Sequence, residues 1–139
     1  MLKNFFYSCI IFFLILNNSI AETINSINIE GNKRVSYETI KMFSGVDIGT
    51  EYTSKKSNKI LKNLYESNFF SNVSVSFSNN QLLINVKEYP IIQNIVYDGI
   101  KANKIKEKVF ANLRLKSRSS FNNVFLKQDK NKIENNLKN

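Results

Sequence analysis

The 139-residue chain carries 20 Lys and Arg against 11 Asp and Glu, a net charge of +9, with no histidine and a single cysteine, Cys9. The commonest general base and all but one of the thiols are therefore missing, which argues against enzymes and soft-metal sites and against any disulfide framework. No cofactor is expected, and stability has to come from ordinary apolar burial.

Residues 1–21 have the three parts of an export signal: Lys3 as a basic start, an apolar run from Phe5 to Leu16, and the small-residue site Ser19-Ile20-Ala21. Cleavage is expected between Ala21 and Glu22. The apolar run stops at Asn17-Asn18, short of the roughly 20 residues a membrane-spanning helix needs. Cys9 lies inside the run, so the exported part would hold no thiol. Loss of Lys3 would leave a charge of +8, and much of that lysine accompanies abundant Asn and Ile on what reads as solvated surface.

Ile24, Ile27 and Ile29 alternate with polar residues as a first strand ending at Gly31-Asn32, where a positive φ is expected of the glycine. Ser36 reads as an N-cap, Glu38 sits in the first turn, and Tyr37, Ile40 and Phe43 are spaced for one helical face up to a stop at Gly45. A second helix is expected after a cap at Thr53 or Ser54, with Ile60, Leu61, Leu64 and Tyr65 inward. Its Lys55, Lys56, Lys59 and Lys62 read as a solvated outer face, since no aromatic residues interleave for base stacking; nucleic acid is not an expected partner. Phe69 and Phe70 at the helix exit read as core.

From Val73 the period becomes two. Val73, Val75 and Phe77 share one face and Ser74, Ser76 and Ser78 the other. Asn79-Asn80 then supplies a tight turn, and Leu82, Ile84 and Val86 alternate through Glu88, completing a hairpin. Tyr89-Pro90 marks a boundary.

The order then restarts: Ile91, Ile92, Ile95 and Tyr97 as a strand-like run, Asp98-Gly99 as a turn, and Ile105, Val109, Phe110 and Leu113 as a helical face. A further helix is expected to begin near Asp129, with Leu126, Ile133 and Leu137 on its apolar side. Gly31 and Gly99 are 68 positions apart, so the repeat is a small domain rather than a solenoid turn. No second hairpin follows before Asn139.

Three pieces in order carry a resemblance: Ile27-Asn28-Ile29-Glu30-Gly31-Asn32-Lys33-Arg34-Val35 with Glu38 to Ile40, then Leu64 to Val73, then Val86 to Ile92 around Lys87-Glu88-Tyr89-Pro90. Together they resemble the POTRA-repeat family of outer-membrane β-barrel assembly factors. Asp98-Gly99-Ile100-Lys101 departs from that family's more usual Gly-Asn-Lys, and no glycine precedes Phe121. The fold implied is α+β: tandem POTRA domains, each strand-helix-helix-strand-strand with two helices on a three-stranded mixed sheet. The division implied is 1–21 signal peptide, 22–88 first domain, and 89–139 second domain, incomplete before its last two strands.

The resemblance implies a non-enzymatic arm at the periplasmic face of the outer membrane. It would receive unfolded outer-membrane proteins, dock accessory assembly lipoproteins and periplasmic chaperones, and be joined to the membrane by a C-terminal barrel not encoded here. The strand Val73-Ser74-Val75-Ser76-Phe77, at the sheet edge in that fold, is the expected client site, because an edge without charge or proline can accept another strand. The alternatives are a POTRA region of a two-partner secretion transporter or related assembly-module protein, and a secreted basic module that binds anionic polymers.

Overall fold

The computed structural model describes residues 22–138; the expected signal and the Ala21 side of its cleavage site lie outside them. The first unit opens with β1 (Ser26–Glu30), whose Ile27 and Ile29 pack against the core while Asn28 and Glu30 face solvent. Gly31 turns the chain at φ +83°, and a Cβ there would collide with the Val86 carbonyl, so both conformation and space demand glycine. Helix α1 (Tyr37–Ser44) starts at Ser36, whose side chain accepts the Thr39 N–H, and stops at left-handed Gly45.

Thr53, not Ser54, caps α2 (Ser54–Glu66) by accepting the Lys56 N–H at 3.1 Å. That helix buries Ile60 and Leu64 and leaves Lys55, Lys59 and Lys62 exposed, so its polar face is set by the pattern that orients its apolar one. Strand β2 (Phe70–Ser78) and β3 (Gln81–Glu88) follow, joined by Asn79 and Asn80 at φ 49° and 61°. Two consecutive positive φ values match the right-handed twist of a hairpin, and asparagine tolerates them.

The sheet order is β1-β3-β2, with β1 parallel and β2 antiparallel to β3. The central strand therefore puts Leu82, Ile84 and Val86 under both helices, where they join Ile24, Ile40, Ile60, Leu64 and Phe70. Full burial of each such side chain contributes about 1.5–3 kcal/mol. Phe70 is buried, and Phe69 stacks on Phe43 at a centroid distance of 5.7 Å, as expected of core residues. This is the α+β arrangement of two helices on a three-stranded mixed sheet.

The residues beyond Pro90 depart from expectation in three places. The run 91–97 does not form a strand: Ile91 makes one bridge to Ser120, and Ile92 exchanges backbone bonds with Ser119 and Arg118 at 2.9 and 2.7 Å. A ladder needs a partner strand, and none is paired to it among the described residues. Helix α3 (Asn103–Val109) ends before Leu113, and Asn112 follows at φ 57°.

Helix α4 (Asn123–Lys138) begins well before Asp129. Asn122 is the residue at its start, its side chain accepting the Val124 N–H at 2.8 Å. Asp129 sits inside the helix, 5% exposed, and its carboxylate accepts the N–H groups of Arg114 and Leu115 at 2.8 to 3.0 Å. In the first unit the helices close on β3. Here Ile92, Ile95, Leu113, Leu115 and Phe121 instead line an open apolar cavity of about 670 Å³.

Candidate functional site

Strand β2 pairs only with β3 among the described residues, so no strand covers its other edge. Which residues point at that edge follows from the turn. A two-residue loop is closed by a mutually hydrogen-bonded pair, here Ser78 opposite Gln81, and bonded pairs then alternate along the strand. Ser76 with Leu83 and Ser74 with Asn85 are thus bonded to β3, whereas Val73, Val75 and Phe77 turn their N–H and C=O groups outward. The Val73 N–H confirms this phase, because it donates to the Tyr65 hydroxyl at 3.1 Å instead of to β3.

The expected client segment therefore divides by backbone and side chain in opposite senses. Ser74 and Ser76 expose their side chains, but their backbone groups are spent inside the sheet. Val75 and Phe77 are half-buried on the core side, with Phe77 stacked on Tyr52 at 4.1 Å, yet they carry the free edge groups. Val73 is 5% exposed and already engaged by Tyr65. No residue from Phe70 to Ser78 is charged or a proline. A bulge between Phe70 and Asn72 bends the strand at its far end.

The Asn-Asn turn was enough to set this alternation in advance; the engagement of Tyr65 had no signal in the sequence pattern. At the opposite sheet edge the Tyr37 hydroxyl donates to the Ile27 carbonyl at 3.2 Å, so each helix reaches its nearer outer strand through a tyrosine.

A second polar cluster fixes the end of the sheet. The Glu88 side chain is 6% exposed, and its Oε1 accepts the N–H groups of Lys33, Arg34 and Val35 at 2.7, 2.9 and 3.0 Å. Oε2 faces Arg34 Nε at 3.0 Å as an ion pair without a well-directed hydrogen bond. Burial pushes the Glu88 carboxyl up, but the three backbone donors and the Arg34 charge outweigh it and hold the group below the ordinary glutamate value. Arg34 also donates to the Tyr89 carbonyl at 3.0 Å, so the loop after β1, the end of β3 and the start of the following segment are tied together.

Glu22, on the far side of the expected cleavage point, accepts the Tyr52 N–H through its carbonyl at 2.8 Å, which joins it to the first unit. Lys55, Lys56 and Lys59 border a shallow depression with Thr50, Glu51 and Thr53, in keeping with a solvated face. Charge is unevenly spread: residues 22–88 hold 8 Lys and Arg against 7 Asp and Glu, and residues 89–139 hold 11 against 4. Among the described residues no group of three or more His, Cys, Asp or Glu could hold a metal, and no helix is long and apolar enough to cross a membrane.

The family model described as POTRA, surface antigen variable number repeat, matches residues 22–89. Among curated relatives, the outer membrane protein assembly factor BamA of Neorickettsia risticii is 35% identical over 81 residues, 58% of this chain and 11% of that protein. BamA of Buchnera aphidicola subsp. Acyrthosiphon pisum is 28% identical over 128 residues, 90% of this chain and 21% of that one. BamA of Neisseria meningitidis serogroup B is 32% identical over 108 residues, 76% and 14%. The chain thus spans between 11% and 21% of the length of these relatives.

Among solved structures, the N-terminal domain of Omp85 from Thermosynechococcus elongatus matches with a TM-score of 0.55 at 14% identity, covering 81% of this chain and 49% of that one. POTRA1-2 of the periplasmic domain of Omp85 from Anabaena matches at 0.53 and 11% identity, covering 84% and 78%. At such identities these two likenesses speak for the fold.

Proposed function

Through residues 22–89 the chain belongs to the POTRA-repeat family, and on that premise we propose that it is part of the periplasmic arm of an outer-membrane β-barrel assembly factor. In this reading residues 1–21 export the chain, the unit 22–88 takes unfolded outer-membrane proteins by β-augmentation, and residues 89–139 belong to a second POTRA domain. Accessory assembly lipoproteins and periplasmic chaperones would dock on the same arm. Attachment to the outer membrane would come from a barrel elsewhere in the full protein. No chemical step is required of any residue.

The observation that carries the reading is the free edge at Val75 and Phe77 in a strand without charge or proline. An extended client can pair with those N–H and C=O groups whatever its side chains, which suits a receptor for many different barrel proteins. Each such bond contributes about 0.5–1.5 kcal/mol net, while association costs about 4–15 kcal/mol in lost freedom. One short edge therefore holds a client weakly and releases it readily; repeated along an arm, such edges raise the local concentration of binding groups and pass the client on.

The experiment is a set of three proline substitutions in the full-length protein, read as capture of an unfolded barrel protein. Val75→Pro removes an edge donor and no β2–β3 bond, so it is expected to keep the fold and lose capture. Ser76→Pro removes the bond to Leu83 and is expected to unfold the unit. Phe77→Pro repeats the first test at the second edge residue. Wild-type capture by folded Val75→Pro and Phe77→Pro proteins would overturn the proposal.

A further inference from the structure

Tyr65 stands in the last turn of α2, 44% exposed, with its hydroxyl against the edge of β2. Its Oη accepts the Val73 N–H at 3.1 Å and lies within donating distance of the Val73 carbonyl at 3.4 Å and of the Asn72 side-chain oxygen at 3.3 Å. Both Val73 groups point away from β3, so the tyrosine makes the contacts that an added strand would make at this position.

We infer that Tyr65 is an internal stop that sets how far a client strand can extend along β2. The inference rests on the edge-pairing reading of β2 and adds to it the length and position of the site. An added strand that reaches Val73 has to displace the phenol and exchange one bond for another, whereas at Val75 and Phe77 it replaces solvent. The bulge between Phe70 and Asn72 lies just past the stop and bends the strand away, while the Asn79-Asn80 turn closes the other end. Pairing is thereby confined to two residues beside the hairpin turn. A site so short fixes which residues of β2 pair and, with no side-chain pocket, lets different positions of a client occupy it in turn.

The test uses the full chain, its Tyr65→Phe variant and a nine-residue peptide of alternating threonine and valine with lysine at each end, followed by hydrogen exchange at individual amides. Phenylalanine keeps the ring and its packing and removes only the hydroxyl. In the unsubstituted chain the peptide should slow exchange at Val75 and Phe77 and leave Val73 as it was. In Tyr65→Phe the free protein should exchange the Val73 amide about tenfold faster. The peptide should then protect that amide as well and bind about three- to tenfold tighter, the equivalent of one more net hydrogen bond.

An unchanged Val73 rate, or an identical footprint and affinity in the two proteins, would overturn the inference while leaving edge pairing intact. Absence of protection at Val75 and Phe77 in both proteins would overturn edge pairing itself, and the stop with it.

Discussion

Replacing Glu88 by glutamine tests whether one buried carboxylate holds the β1–α1 loop, the end of β3 and the following segment together. In the native unit Oε1 gathers three backbone N–H groups and Oε2 lies 3.0 Å from Arg34 Nε, with the side chain 6% exposed. Glutamine keeps one acceptor for the three donors but removes the charge and sets an amide NH2 against the Arg34 guanidinium. A hydrogen bond to a charged group is worth about 1.5–3 kcal/mol, and three that share one oxygen do not add fully. The expected loss is about 2 kcal/mol for Glu88→Gln and about 3–4 kcal/mol for Glu88→Ala, which leaves the donors without any acceptor. A unit of this size has about 3–10 kcal/mol in all, so either change is readily measured.

The pH dependence gives the sign. The carboxyl is held below its ordinary value in the folded state, so its contribution is present above the unfolded value of about 4.3 and is lost as pH falls through the folded value. Urea unfolding of wild type and Glu88→Gln should therefore differ by about 2 kcal/mol at pH 7, and the gap should close as pH drops below the folded value. Equal stabilities at pH 7, or a gap that persists in acid, would refute this account of the latch.

Gly31→Ala should cost more than about 2 kcal/mol in unfolding free energy, because φ +83° is combined with a collision on the Val86 carbonyl; Gly99→Ala, at φ +89° with open space around it, should cost only about 1 kcal/mol. Asp129→Leu should loosen residues beyond Pro90 while the first unit keeps its own melting transition, read by amide exchange of Leu115 against Ile84. Client capture through β2 should change less than about twofold between 50 and 500 mM salt, since the edge carries no charge, whereas binding to an anionic polymer through the lysines should fall steeply.

Local chemistry made the first unit legible. The serine alternation from Ser74 to Ser78 placed β2, the Asn79-Asn80 pair placed its turn, Gly31 and Gly45 marked element ends where a positive φ favours glycine, and Thr53 marked a helix start that its side-chain oxygen caps. The same turn also fixes which backbone groups reach the free edge. What the pattern hides are contacts between distant positions: Glu88 with Lys33 to Val35, 53 to 55 residues away, and the Tyr65 hydroxyl on Val73. The residues beyond Pro90 were harder to read for a physical reason. A strand-like run from Ile91 to Tyr97 becomes a strand only when a partner supplies its ladder, and Asp129 resembles a helix start although its carboxylate serves Arg114 and Leu115.

The central claim, that an extended client pairs along β2, is tested most directly by disulfide trapping in the full-length protein. Cys9 is the only cysteine and lies in residues 1–21, so a cysteine at Ser76 would be the sole thiol of residues 22–139. A paired strand brings facing Cβ atoms to about 4.5–5.5 Å, close to disulfide reach. Cysteines walked along one strand of an unfolded barrel client should crosslink to position 76 at alternate residues, and Val75→Pro should abolish the pattern. Crosslinks of equal strength at every client position, or an alternating pattern that survives Val75→Pro in a folded protein, would contradict it.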